Sequence, residues 1–383
     1  MLNLRALNRA TLARQMLLQR TQISVDDAVR ALAGMQAQAP LTPHIGLWTR
    51  LRAYDPAQLD ALYATRQVAR ITVMRNTVHL VTAEDALAWR GLVSSLLERT
   101  TDSAWRRGYP PGGLPLPELT DVARKLLREQ PLTSVELGKR LAQRFADGDP
   151  TALSYAARSR LALVQIPPRG LWGRTGPVAF ADAEDWFADA PQSRNGDQAD
   201  EQHAGSAANA MNAAEQTARL VLRYLAAFGP ASPADAQRWS GLTRLAEVFA
   251  RLRDRLVELR TPDGTVLYDP PDAPRPDPDT PAPVRFLPSY DNLLLGHDNR
   301  RRVNPHGRPV PLPPGNGADR GTVLVDGTWH GEWRTNTTGT LTVTCFAKPD
   351  ADTRDALEQE GLALLQLLAP DAEAPTVQVT VEA

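Results

Sequence analysis

Two glutamines stand one alanine apart in the run GMQAQAP, at Gln36 and Gln38, where a hydrophobic helix is expected to end. The oxygen of a primary amide is barely basic, so neither residue can serve as a general base. Each can orient a water molecule and present a carbonyl dipole to a developing positive charge. Inside a helix, residues i and i+2 point about 200° apart and cannot share a substrate. Pro40, however, pushes Ala39 out of the helical region, so Gln36 and Gln38 are expected to straddle the helix end, where the backbone can turn both amides into one cleft. The competing role for both is capping of the loose carbonyls at that terminus.

Other chemistries find less support. The six histidines, His44, His79, His203, His297, His306 and His330, never fall four apart on an expected helix, and no cysteine pair accompanies them, so no metal site is expected. Cys345 has no partner for an internal disulfide, and in LTVTCFA it alternates like a buried strand residue. The phosphate-binding loops and the GxSxG elbow do not occur, which leaves no cofactor to expect and no serine-hydrolase chemistry.

Charge is distributed unevenly. The net charge is −1, yet residues 1–180 carry 24 basic against 14 acidic side chains and residues 181–383 carry 19 against 30. A basic half can follow a nucleic acid although the whole chain is near neutral, because screening confines the interaction to about 10 Å. Ordinary solvated faces would look the same. Candidate contacts to a nucleic acid are Arg75 and His79 in VMRNTVHLV, and His297, Arg300, Arg301 and Arg302 in GHDNRRR, the last a basic cluster in the acidic half. For Arg75 and His79 the alternatives are a solvated turn and a packed ring.

The elements that must position these residues alternate in a pattern that comes three times. NRATLARQMLLQR predicts a helix from Asn8, SVDDAVRALAGMQAQ a second with Ser24 as cap and Asp27 three residues on, and DPAQLDALYATR another with Pro56 at its first position. VARITVM and TVHLV then alternate at period two around Arg75 and Asn76, a β-hairpin. ELTDVARKLLREQ, TSVELGKRLAQRF with its own capping pattern, and TALSYAARSRLALV followed by two short strands repeat the plan, and AAEQTARLVLRYLAAFG, SPADAQRWSG and LTRLAEVFARLRDRL followed by LVELRT and TVLYD repeat it again. Helices closed by a hairpin make a winged helix, so the expected fold is α+β with three tandem winged-helix units and a small C-terminal antiparallel β region. A generic α+β chain whose helices happen to alternate is the alternative. The expected boundaries are 1–110 for the unit holding the glutamines, 111–187 for the second, 188–211 for a polar linker, 212–271 for the third, and 272–383 for a proline-rich connection and a sheet backed by one helix.

Together LNRATLARQMLLQR, GMQAQAP, RITVMRNTVHLVTAEDA and FLPSYDNLLLGHDNRRRV resemble the bacterial winged-helix DNA glycosylases of the AlkZ and YcaQ type, over nearly the whole chain. The resemblance implies three winged helices in a C-shaped arrangement and a catalytic Gln-x-Gln signature, here Gln36 and Gln38. It implies excision of alkylated purines such as N7-alkylguanine from double-stranded DNA, with unhooking of interstrand crosslinks in base excision repair or antibiotic self-resistance. N7 alkylation leaves guanine cationic and already a good leaving group, a task two neutral amides and a water can complete. A glycosylase that also cuts the strand usually needs an amine, yet no lysine precedes Lys125, so a monofunctional enzyme is expected. The rivals are a winged-helix transcription regulator, which would usually dimerise, and a protein-interaction scaffold. No run of 18 apolar residues and no N-terminal leader is present, and a cytoplasmic monomer without membrane contact is expected.

Overall fold

The structure is a computed structural model that describes residues 2–110, 113–188, 206–310, 320–336 and 338–382. The chain folds into two compact units that do not follow chain order. One comprises residues 1–55, 222–239 and 249–383, and the other residues 56–221 and 240–248.

In the first unit the chain enters through the helix Leu4–Arg14, capped by the Asn3 side chain on the Ala6 amide at 2.8 Å. The helix therefore begins four residues before the expected Asn8, because Asn3 satisfies an amide that would otherwise be orphaned at the N-terminus. The helix Val25–Ala31 starts as expected, with the Ser24 hydroxyl accepting from the Asp27 amide at 3.1 Å. It ends sooner than expected. Ala33 and Gly34 both take positive φ, 52° and 79°, and their amides turn back to the carbonyls of Arg30 and Val29 at 3.1 Å each, a Schellman closure that stops the helix at Ala31. Met35–Gln36 then runs as extended chain, and the helix Thr42–Trp48 follows.

This unit also holds a five-stranded sheet in the order Thr376–Val381, Thr340–Cys345, Thr328–Thr335, Gly321–Val325 and Arg285–Leu287. The C-terminal sheet is antiparallel through four strands, as expected. Its last strand lies parallel to Thr340–Cys345, because the helix Ala351–Leu368 carries the chain back to the starting end before the strand begins. That helix covers one face of the sheet. Leu357, Leu364 and Leu365 pack with Phe286, Val323, Trp333, Leu341, Val343 and Cys345, so Cys345 is a core residue.

In the second unit the expected hairpin is present. Val68–Thr72 and Val78–Thr82 pair antiparallel from Val68 opposite Thr82 to Thr72 opposite Val78, with Arg75 and Asn76 at positive φ in the connection. The sheet continues through Leu163–Gln165, Ala179–Asp182 and Leu132–Thr133. A helix that the sequence reading did not anticipate, Ala83–Trp105, follows the hairpin, capped by Thr82 on the Asp85 amide. Its Arg90 bonds the Ser159 and Leu161 carbonyls at 2.6 and 2.9 Å, satisfying the end of the helix Pro150–Arg160. The helices Leu116–Glu129, Ser134–Arg144 and Pro150–Arg160 enclose a core of Leu119, Leu127, Leu137, Leu141, Leu153 and Phe180. Thr133 and Glu136 form the full capping box that the sequence announces.

Gly138 lies where the helix Ser134–Arg144 passes the start of Pro150–Arg160, and a Cβ there would collide with the carbonyl oxygen of Pro150. Backbone cannot swing aside as a side chain does. Gly138→Ala is therefore expected to lose about 1–3 kcal/mol despite the higher helix propensity of alanine, read as a lower urea midpoint.

The third round is also present, as the helices Ser206–Phe228, Pro233–Ser240 and Leu245–Arg251 and the antiparallel pair Val257–Arg260 and Val266–Asp269. The linker expected at 188–211 lies outside the described residues from 189 to 205, and its last six residues open the helix Ser206–Phe228. No helix among the described residues is long and apolar enough to cross a membrane.

Candidate active site

Gln36 does not sit at a helix end. The Schellman closure places it five residues beyond Ala31, on the short extended stretch Met35–Gln36, and Gln38 follows in a bend just after that stretch ends. Gln36 is buried, with 7% of its surface exposed, and Gln38 is half-buried. Their segment is tied to the next helix by Thr42, whose hydroxyl donates to the Gln36 carbonyl at 3.2 Å and to the Ala39 carbonyl at 2.8 Å.

Gln36 lines a recess of about 10 Å³, room for roughly one water molecule. Its other polar walls are Gln15, Thr42, Arg50, Asp291 and Asn292, while Leu32, Met35 and Pro288 supply the apolar side. Gln38 is not part of this lining. Arg50 and Asp291 form a buried two-pronged ion pair, with Nη1 to Oδ2 and Nη2 to Oδ1 both at 2.9 Å. Arg50 also donates to the Gly46 carbonyl at 3.0 Å and to the Gln15 carbonyl at 3.1 Å. Asp291 caps the short helix Asn292–Leu295 through the Leu293 amide at 2.9 Å, just after Tyr290 at φ 62°. Asn292 reaches back to the Gly34 carbonyl at 3.4 Å.

Sequence reasoning missed these neighbours of Gln36. The run FLPSYDNLLL contains Asp291 and Asn292, yet the Arg50–Asp291 pair joins residues 241 positions apart, and nothing local announces a partner at that separation.

Among the proposed DNA contacts, the structure separates buried from exposed. His297, Arg300, Arg301 and Arg302 belong to the unit that carries Gln36, whereas Arg75 and His79 belong to the other. His297 is 1% exposed between the rings of Tyr224 and Phe228 and donates to the Phe228 carbonyl at 2.9 Å. Arg302 is 5% exposed and bonds the Pro230 carbonyl at 2.9 Å and the Thr11 hydroxyl at 3.2 Å. His79 has no exposed surface; one ring nitrogen donates to the Thr77 carbonyl at 3.1 Å and the other accepts from Arg75 at 3.4 Å. These three side chains are internal braces, and the expectation that they meet a phosphate is corrected by their burial. Arg301 is exposed, and Arg75 and Arg300 are partly so. Arg300 is held below the usual guanidinium range by partial burial and by neighbouring Arg238, with Asp298 opposing the shift.

Burial, reinforced by Arg75 beside His79 and by Arg302 beside His297, pushes both imidazoles down to about 3. Asp235 opposes the shift at His297. Each folded value lies below the unfolded 6.5, so the fold binds fewer protons than the unfolded chain as pH falls. The stability each neutral ring contributes is complete above pH 6.5 and is lost between there and about 3, at up to about 1.4 kcal/mol per pH unit per histidine. Urea titrations at successive pH values are expected to show this decline, and His79→Gln to show a shallower one.

The recess, the buried pair and the Gln-x-Gln segment lie on a chain whose residues 29–367 match the family described as DNA glycosylase AlkZ-like. The chain belongs to the AlkZ-like DNA glycosylase family. That family comprises hydrolases acting on N-glycosyl bonds of DNA. Both glutamines, Arg50 and Asp291 fall within the matched span. The solved structure of the Streptomyces sahachiroi DNA glycosylase AlkZ superposes with a TM-score of 0.73 over 99% of this chain and 100% of that one, at 22% identity. The likeness shows a shared fold. No curated protein matches the sequence.

Proposed function

We propose that this AlkZ-like chain is a monofunctional DNA glycosylase that hydrolyses the N-glycosidic bond of cationic alkylated purines of the N7-alkylguanine type, with Gln36 and Gln38 orienting the attacking water and stabilising the sugar cation. One observation carries the reading. The cation lining the recess beside Gln36 is Arg50, and it is fully engaged by Asp291 and backbone carbonyls, so this wall offers no acid to a departing base. A neutral purine leaves as an anion and needs such help. A base alkylated at N7 leaves neutral and does not. What remains is to stabilise an oxocarbenium-like sugar and deliver water, which amide dipoles do at a water-sized recess.

Arg75, Arg300 and Arg301 are the phosphate contacts in this reading, on double-stranded DNA bound by a monomer. None of the three lysines, Lys125, Lys139 and Lys348, lines the recess beside Gln36, which supports water rather than an amine as nucleophile. Interstrand crosslinks built through N7 are cationic for the same reason and fall within the substrate class.

The test is a duplex bearing a single N7-methylguanine, incubated with the protein and then heated in alkali. Strand scission at the lesion only after alkali supports a monofunctional enzyme. Scission without alkali would overturn the water mechanism, and no scission together with sequence-selective protection of DNA would make the chain a regulator. A duplex crosslinked through two N7 atoms, resolved on a denaturing gel, extends the test to unhooking.

A further inference from the structure

Hydrolysis at the glutamine site, as read above, leaves one proton unassigned. When water adds to C1′ of the sugar it must lose a proton, and neither Gln36 nor Gln38 can accept it, since amide oxygens are too weakly basic. We propose that Asp291 takes that proton, a role that rests on the glycosylase reading of the recess.

Asp291 is the carboxylate among the residues lining the recess with Gln36. A carboxylate offers about four acceptor positions. Three are filled: Oδ2 accepts from Arg50 Nη1, and Oδ1 accepts from Arg50 Nη2 and from the Leu293 amide, all at 2.9 Å. The fourth, on Oδ2, takes no donor among the described residues, and Asp291 lines the recess. Arg50 is too heavily bonded to move, with further donations to the Gln15 and Gly46 carbonyls and to the Gln15 side chain at 3.4 Å, so the free position stays aimed. The opposite wall is fixed as well, by Thr42 on the Gln36 carbonyl and Asn292 on the Gly34 carbonyl.

A carboxylate is a poor base toward free water. It suffices here, because water whose oxygen is already bonding to a sugar cation is a far stronger acid. The step balances. The C1′–N9 bond breaks with both electrons going to the base, which leaves neutral; the water oxygen bonds to C1′; one of its protons passes to Oδ2 of Asp291 and from there to solvent, regenerating the carboxylate. The arginine also restrains Asp291 from attacking C1′ itself, by holding its electron pairs in hydrogen bonds.

The experiment compares single-turnover release of N7-methylguanine from duplex DNA by the wild type, Asp291→Asn and the double variant Arg50→Gln/Asp291→Asn, with thermal midpoint and affinity for a duplex containing a stable abasic-site analogue measured on each. Asp291→Asn strands the buried Arg50 charge and is expected to lower the midpoint. The double variant removes both charges and regains much of it. A brace would then be restored and excision with it. A proton acceptor would not, and the proposal expects the double variant to bind the analogue within about threefold of wild type while releasing base at least about 100-fold more slowly.

Excision by the double variant within about threefold of wild type overturns the proposal, as does excision by Asp291→Asn within about threefold of wild type at a temperature where that variant is folded. If the wild type releases no base, the glycosylase reading itself falls, and Asp291 with it. If the wild type is active and Gln36→Ala is dead while the Asp291 variants are not, the assignment of Asp291 alone fails.

Discussion

A duplex carrying one N7-methylguanine is expected to survive incubation with the Gln36→Ala/Gln38→Ala variant and alkali treatment at background level, under conditions in which the wild type cleaves it to completion. Removing one oriented dipole that stabilises charge in a transition state costs about 10²–10³ in rate, and two that act on the same water and the same sugar cation are not expected to add independently. Gln36→Ala alone is expected to account for most of the loss, because Gln36 lines the one-water recess and Gln38 does not. Duplex affinity is expected to change by no more than about threefold, since phosphate contacts supply most of the binding energy and neither amide carries charge. Thermal midpoints close to wild type would exclude collapse of the segment, which is held through the Gln36 and Ala39 carbonyls by Thr42 rather than through the amide side chains alone. Loss of binding with unchanged excision per bound complex would make the glutamines structural.

Local signals in the chain were the legible ones. Ser24 with Asp27, Thr133 with Glu136, and the alternating pair around Arg75 and Asn76 each involve residues within a few positions of one another, and each appears in the structure where the pattern placed it. The helix Ala83–Trp105 carries a signal of the same local kind, since buried Ala86, Trp89, Val93 and Leu97 recur at helical spacing behind the cap Thr82, but it starts directly where the strand pattern of Val78–Thr82 ends, with no turn residues between. The end of Val25–Ala31 was harder. Ala33 adopts a left-handed conformation that alanine disfavours, and only the Schellman bonds around it explain why.

Burial of charge was not legible. Arg302 sits in a run of three arginines that reads as a solvated cluster, yet it is drawn inside by the Pro230 carbonyl and Thr11, while Arg301 beside it stays exposed. The same blindness hid the site's neighbours. Gln36 could be singled out because an amide pair at that spacing is chemically odd, whereas Arg50 and Asp291 look like any arginine and any aspartate until the fold brings them together.

Asp269→Ala is expected to be the most destabilising single substitution among the ion pairs of this unit. Asp269 has no exposed surface, and both of its oxygens are bonded by Arg14, at 2.6 and 2.8 Å, with Arg275 adding a third contact. The Arg14 side chain is 1% exposed. Its remaining partners are the carbonyls of Leu225 at 2.9 Å and Pro274 at 3.2 Å, which solvate a guanidinium but cannot neutralise it. Truncating the carboxylate leaves that charge buried, a change that costs about 3–5 kcal/mol and consumes a large share of the roughly 5–15 kcal/mol by which a domain is stable. Urea unfolding is expected to show the loss as a lower midpoint. Arg14→Met/Asp269→Leu, which removes both charges and keeps apolar volume, is expected to recover most of it, the outcome that separates a stranded charge from lost packing. The consequence reaches the recess through one peptide bond. Arg14 precedes Gln15, whose carbonyl and side-chain oxygen both receive Arg50 and whose amide nitrogen is anchored on the Ala227 carbonyl at 2.8 Å. Loosening Arg14 therefore frees one support of the Arg50–Asp291 pair, so base release by Asp269→Ala is expected to fall faster on warming than the folded fraction does.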